Sequence, residues 1–119
     1  MVKRETIQRV TTPTALRVGL GEPLATTCSD ALNAGGLRVL RVGHVAAACE
    51  RLPVVMPQLV VVSSTMSAPD VEVLADRCVA VGAQVVTVAP EPTQDVRKLQ
   101  DRLKDTAQLA LIRSFRSSS

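Results

Sequence analysis

Hydroxyl, thiol, imidazole and carboxylate groups are the side chains here that could do chemistry, and few are spaced to do it together. Ser63, Ser64 and Thr65 form a compact hydroxyl cluster at the end of an apolar run, with no carboxylate after them until Asp70. A serine becomes a useful nucleophile only when a base takes its proton. The three hydroxyls therefore read as loop and cap groups, ahead of a phosphosite or a ligand contact. His44, the single histidine, stands at a helix start and reads as a polar end residue rather than a ligand or base. Cys28, Cys49 and Cys78 are odd in number, widely separated and without a C-x-x-C spacing. That argues against a disulfide framework and against a metal cluster. Each falls on an apolar helical position, as a small buried hydrophobe would. Glu22 suits the first turn of a helix, where the dipole favours an acid. Gly19 and Gly21 leave room for backbone approach but lack the G-x-G-x-x-G frame of a phosphate cradle. No catalytic residue, metal or cofactor is expected.

The elements that must position these groups are plainer. Leu59-Val60-Val61-Val62 follows Pro57 and runs into the hydroxyl cluster, which predicts a fully buried central strand of a parallel sheet. Ala15 to Leu20 is a first strand, closed by Gly21-Glu22-Pro23. Leu24, Cys28, Ala31 and Leu32 then repeat at helical spacing up to Gly35-Gly36. Leu37 to Val42 carries two arginines and reads as an edge strand. Val45, Ala48, Cys49 and Leu52 line a second helix, which Pro53 should limit. Ser67 is a candidate N-cap, and Val71, Leu74, Cys78 and Val81 form a third stripe that Gly82 ends. Gln84 to Ala89 is a fourth strand whose β-branched run reads as central and buried.

Beyond Thr93 no further β-branched run appears. Val96, Leu99, Leu103, Ala107 and Ala110 share one helical face opposite a charged one, so the spacing predicts one long helix over 93–115. Leu109, Ile112 and Phe115 fall off that stripe. A short fifth strand over 109–112 is the alternative, but good helix formers run through the segment. Arg113 and Arg116 would rim an apolar patch there. The three closing serines, 117–119, should be disordered.

At 119 residues, 46% apolar and with Phe115 its one aromatic, the chain fits a single α/β domain with a Val, Leu and Ala core. Strands and helices alternate with short connections, which predicts a doubly wound parallel sheet. No stretch approaches the roughly 20 apolar residues of a membrane span, and the amino terminus lacks a signal-peptide core. A cytosolic protein without membrane insertion is expected. The net charge of +3 is already reached in the first 17 residues by Lys3, Arg4, Arg9 and Arg17 against Glu5. Residues 1–14 read as a basic arm, 15–116 as the domain and 117–119 as a tail. The remainder is balanced, and without aromatic interleaving this argues against nucleic-acid binding.

Over roughly residues 15–90 the chain resembles the receiver domain of bacterial two-component response regulators. Val18-Gly19-Leu20-Gly21-Glu22-Pro23 stands where the family writes V-V-D-D-E-P. Pro57 to Asp70 stands where it writes P-D-L-V-L-L-D-x-x-M-P-x-x-D, and Val85 to Pro90 matches the strand ending in T-A or S-A. The resemblance implies a flavodoxin-like, three-layer sandwich, here with a long C-terminal helix in place of the last strand-helix unit. It also implies losses. The acidic pair that holds Mg²⁺ falls on Leu20 and Gly21, which offer no side-chain oxygen. The phosphoacceptor aspartate falls on Ser63, the switch hydroxyl on Ala89, and the fifth-strand lysine has no counterpart.

The expectation is a non-enzymatic pseudo-receiver, a bacterial signalling module that acts by phosphorylation-independent contact with a protein partner or a second copy. Leu109, Ile112, Arg113, Phe115 and Arg116 are the candidate interface. The alternative is a small-ligand sensor using the strand ends around Gly21, Ser63 and Ala89.

Overall fold

The computed structural model describes residues 13–89 and 96–118, with side chains through Arg113. Strands and helices alternate: β1 (Thr14–Val18), α1 (Leu24–Ala34), β2 (Arg38–Val42), α2 (Val45–Val55), β3 (Leu59–Ser63), α3 (Ala68–Val81), β4 (Gln84–Val88) and α4 (Val96–Ser118). The strands form one all-parallel sheet in the order β2-β1-β3-β4. This is the flavodoxin-like, three-layer α/β arrangement, with α4 following the last strand.

Side chains alternate across a strand, and that alternation divides the core. Leu59 and Val61 face one cluster with Ala15, Cys28, Leu32, Val88, Leu99, Leu103 and Ala107, between the sheet and α1/α4. Val60 and Val62 face the other, with Leu16, Val18, Leu52, Leu74 and Cys78, between the sheet and α2/α3. Because β3 has helices on both faces and strands on both sides, all five of its residues are buried. Each fully buried Val or Leu contributes about 1.5–3 kcal/mol of transfer free energy, as an upper estimate.

Local signals place most boundaries. Ser67 caps α3, its Oγ accepting the Asp70 N–H at 3.4 Å, and Gly82 closes that helix at φ 76°. α1 and α4 approach closely where Gly35 meets Ala107. A Cβ at Gly35 would lie 2.7 Å from Ala107 Cβ and 3.2 Å from the Lys104 carbonyl, so only glycine fits.

Four expectations need correction. β4 is an edge strand: Val85 and Val86 are half-buried and Thr87 is exposed, because the described residues beyond it supply a helix and no further strand. α4 partly covers that edge, with Arg102 Nη2 donating to the Thr87 carbonyl at 3.2 Å. Pro53 lies inside α2, and the helix continues to Val55 before Met56 turns left-handed at φ 50°. The cost is the one backbone hydrogen bond that residue 53 cannot donate, and the Met56 N–H still closes the last turn on the Leu52 carbonyl at 2.9 Å. Thr14 belongs to β1 and is 2% exposed, its N–H donating to Gln58 Oε1 at 2.7 Å and its carbonyl accepting the Gln58 N–H at 2.9 Å. The rest of the proposed arm, 1–12, lies outside the described residues. Finally, α4 runs through Ser117 and Ser118, where disorder was expected. Propagating an existing helix adds one backbone hydrogen bond per residue.

One long C-terminal helix is what forms, from Val96 to Ser118, so 109–112 is helical and not a fifth strand. Residues 93–95 lie outside the described residues. The stripe of Leu99, Leu103, Ala107 and Ala110 is buried, while Val96 at its start is 52% exposed. None of the described helices is long and apolar enough to cross a membrane.

Candidate functional site

Parallel sheets gather their loops at the carboxyl ends of the strands, and ligands bind where the strand order reverses. Here that point lies between β1 and β3. Val18 leads into Gly19, which adopts φ 64° and donates its N–H to the Val42 carbonyl at 2.9 Å. Leu20 then turns back to pack against the α1/α4 core. Gly21 is exposed, and its carbonyl accepts the Ala25 N–H at 2.9 Å in the first turn of α1. The two positions that would carry a receiver's acidic pair thus supply one packing group and bare backbone.

Glu22 serves the helix beside it. Its Oε1 accepts from the Thr26 hydroxyl at 2.7 Å and from the Thr26 N–H at 3.1 Å. These bonds, with the nearby charges of Arg17 and Arg41, outweigh a small desolvation effect and lower its pKa. Glu22 stands just before the N-cap Pro23 and not in the first turn expected from sequence, and it satisfies a first-turn N–H from there.

Ser63 is 9% exposed and locked into its own turn. Its Oγ lies 2.7 Å from Thr65 Oγ1 and accepts the Thr65 N–H at 3.2 Å, while its carbonyl accepts the Met66 N–H at 3.1 Å. Ser64 N–H is bound to the Val88 carbonyl at 2.8 Å, tying the turn to β4. His44 and Asp70 line the cleft in front of Ser63. His44 Nδ1 is occupied as the α2 cap, accepting the Ala47 N–H at 3.2 Å. Among the described residues no imidazole or carboxylate hydrogen-bonds to Ser63, so none of them activates its hydroxyl.

No three His, Cys, Asp or Glu side chains among the described residues come close enough together to hold a metal. The Mg²⁺ that a receiver would carry does not fit this strand end, since Leu20, Gly21 and Ser63 provide no carboxylate. Cys28 and Cys78 are buried on opposite faces of the sheet, and burial pushes each thiol up to about 11. That keeps them protonated and unreactive near neutrality.

Two open clefts notch this edge. One, of about 220 Å³, is lined by Val18, His44, Val45, Ser63, Met66 and Asp70, among others. The other, of about 230 Å³, is lined by Arg17, Leu20, Gly21, Arg41 and Val42, and the two share Gly19 and Gly43. Gly21 and Ser63 therefore open onto different clefts, and Ala89, half-buried after β4, lines neither.

Sequence reasoning missed the arginines. The signal was present as a repeated tetrapeptide, Leu-Arg-Val-Gly at 16–19 and again at 40–43. β1 and β2 pair in the register that sets the copies side by side, Leu16 against Leu40 and Arg17 against Arg41.

The candidate interface lies elsewhere, on the distal half of α4. Leu109 and Ile112 are 60% and 49% exposed. Arg113, expected at the rim, reaches back to β4, its Nη1 donating to Gln84 Oε1 at 2.8 Å. The side chains of Phe115 and Arg116 lie outside the described residues. A scan against protein-family models finds no match, and neither does a search of curated proteins.

Proposed function

We propose that this protein is a non-catalytic, receiver-like signalling module that works by contact with another protein and without phosphorylation. One observation carries the reading. A doubly wound sheet in the order β2-β1-β3-β4 reaches its switch point with Leu20, Gly21 and a self-bonded Ser63 where a receiver needs carboxylates. Aspartyl phosphorylation requires a nucleophilic carboxylate and a hard cation held by oxygen ligands, and these residues offer neither. The exposed Leu109 and Ile112 on α4 give the module an apolar contact surface away from that edge. Its output is read as binding to a protein partner or a second copy.

The test is titration of the ¹⁵N-labelled protein with beryllofluoride and Mg²⁺. Amide shifts should not saturate at Ser63 or Ala89. A saturable, Mg²⁺-dependent response there would overturn the reading.

A further inference from the structure

We infer that the cleft at the carboxyl ends of β1 and β2 binds a phosphate-bearing small molecule, gripped by Arg17 and Arg41 beside the glycine backbone of the β1–α1 loop. This goes beyond the protein-contact reading and does not depend on it.

Arg17 and Arg41 are register partners on adjacent strands, which lie about 4.8 Å apart in a sheet. Both have the parity of Ala15 and Val39, so both side chains leave the sheet on the α1 side. Two like charges directly side by side repel each other. The fold nevertheless places them together, through the repeated Leu-Arg-Val-Gly. Arg17 is oriented by α1, its Nη1 donating to Ser29 Oγ at 3.1 Å. Among the described residues Arg41 makes no hydrogen bond or ion pair. Glu22 is the nearby acid, but its Oε1 is already committed to Thr26. Two guanidiniums against one carboxylate leave the cleft positive.

The shape fits an anion of limited size. Gly21 and Gly43 border the cleft, and a Cβ at either would meet nothing within 4 Å, so a ligand can reach bare backbone there. A volume of about 230 Å³ takes a phosphate or sugar phosphate and is small for a dinucleotide. Guanidinium forks match phosphate oxygens in pairs. The second cleft, which shares Gly19 and Gly43 with the first, offers Val18, Val45 and Met66 to the uncharged body of such a molecule.

The probe is sodium pyrophosphate, titrated into the ¹⁵N-labelled full chain, with sodium sulfate at matched ionic strength as comparison. Saturable shifts should appear at the Gly19, Gly21 and Gly43 amides with pyrophosphate. Arg41→Gln should weaken binding by about tenfold or more, the worth of a lost hydrogen bond to a charged group. Arg51→Gln, on the exposed surface of α2, should leave it unchanged. Arg41 is itself exposed, so its variant stays folded even if Arg17→Gln does not. Shifts that fail to saturate, that sulfate reproduces equally, or that Arg41→Gln leaves unaltered would each overturn the assignment. So would equal weakening by Arg51→Gln, which would mean general charge screening.

Discussion

β3 and β4 pair with each other along their whole length, and each carries a valine-rich run. In β3 every residue is buried, whereas β4 keeps Gln84, Val85 and Val86 half-buried and Thr87 exposed. Similar composition therefore sits in two environments. A β-branched run says that a segment suits a pleated, partly covered surface. Whether it is central depends on what pairs with its other edge. For β3 that is β1, and for β4 it is a helix whose Arg102 reaches one outer carbonyl.

Truncation should separate the two strands most sharply. Leu59→Ala should cost about 2–4 kcal/mol and Val61→Ala about 1–3, since each opens a cavity among groups that cannot close in. Val86→Ala, at the half-covered edge, should cost less than about 1 kcal/mol. Urea melts measure all three, and equal costs in the two strands would break the comparison.

The edge itself comes next. Arg102→Ala removes the bond to the Thr87 carbonyl and should cost about 0.5–1 kcal/mol. It also uncovers β4, so light scattering at high concentration should rise. Unchanged scattering would mean that Arg102 is not what guards that edge.

The thiols compare the two faces that β3 separates. Burial raises Cys28 and Cys78 to about 11 from an ordinary value of 9.0, so each is favoured as the neutral thiol in the folded state. That contribution is fully present below pH 9 and is lost as pH rises toward 11. Stability should fall over that window, and Cys28→Ala should flatten the fall. An alkaline limb identical in wild type and variant would refute the link to Cys28.

A small stability effect belongs to α4. Leu109→Ser with Ile112→Ser should change stability by no more than about 1 kcal/mol, because both side chains are half exposed or more. Association with a partner or a second copy should be lost in the same variant, by sedimentation or pull-down. Folding and association both unchanged would remove the interface.

Strands, helices and their order were legible from local chemistry. Hydrophobic alternation and 3.6-residue stripes need only near neighbours, and caps such as Ser67 and His44 act within three residues. So were the side chains of Leu20, Gly21 and Ser63, none of them a carboxylate, which are what they are in any fold. Less legible was where α2 stops, because Pro53 near a helix end is tolerated when the next turn closes on Met56.

The sequence by itself determined the α/β class, the buried β3, the lone histidine's place at a helix start and the long amphipathic helix that ends the chain. Each is set by residue type and short-range spacing. Only the tertiary structure decided that β4 is an edge, that Arg113 is tethered to Gln84, and that Arg17 and Arg41 stand side by side. Those facts depend on which strands pair and in what register. The hydrogen bonds that set a register join residues more than twenty positions apart, so even the repeated Leu-Arg-Val-Gly marks two similar strand ends without saying that they pair.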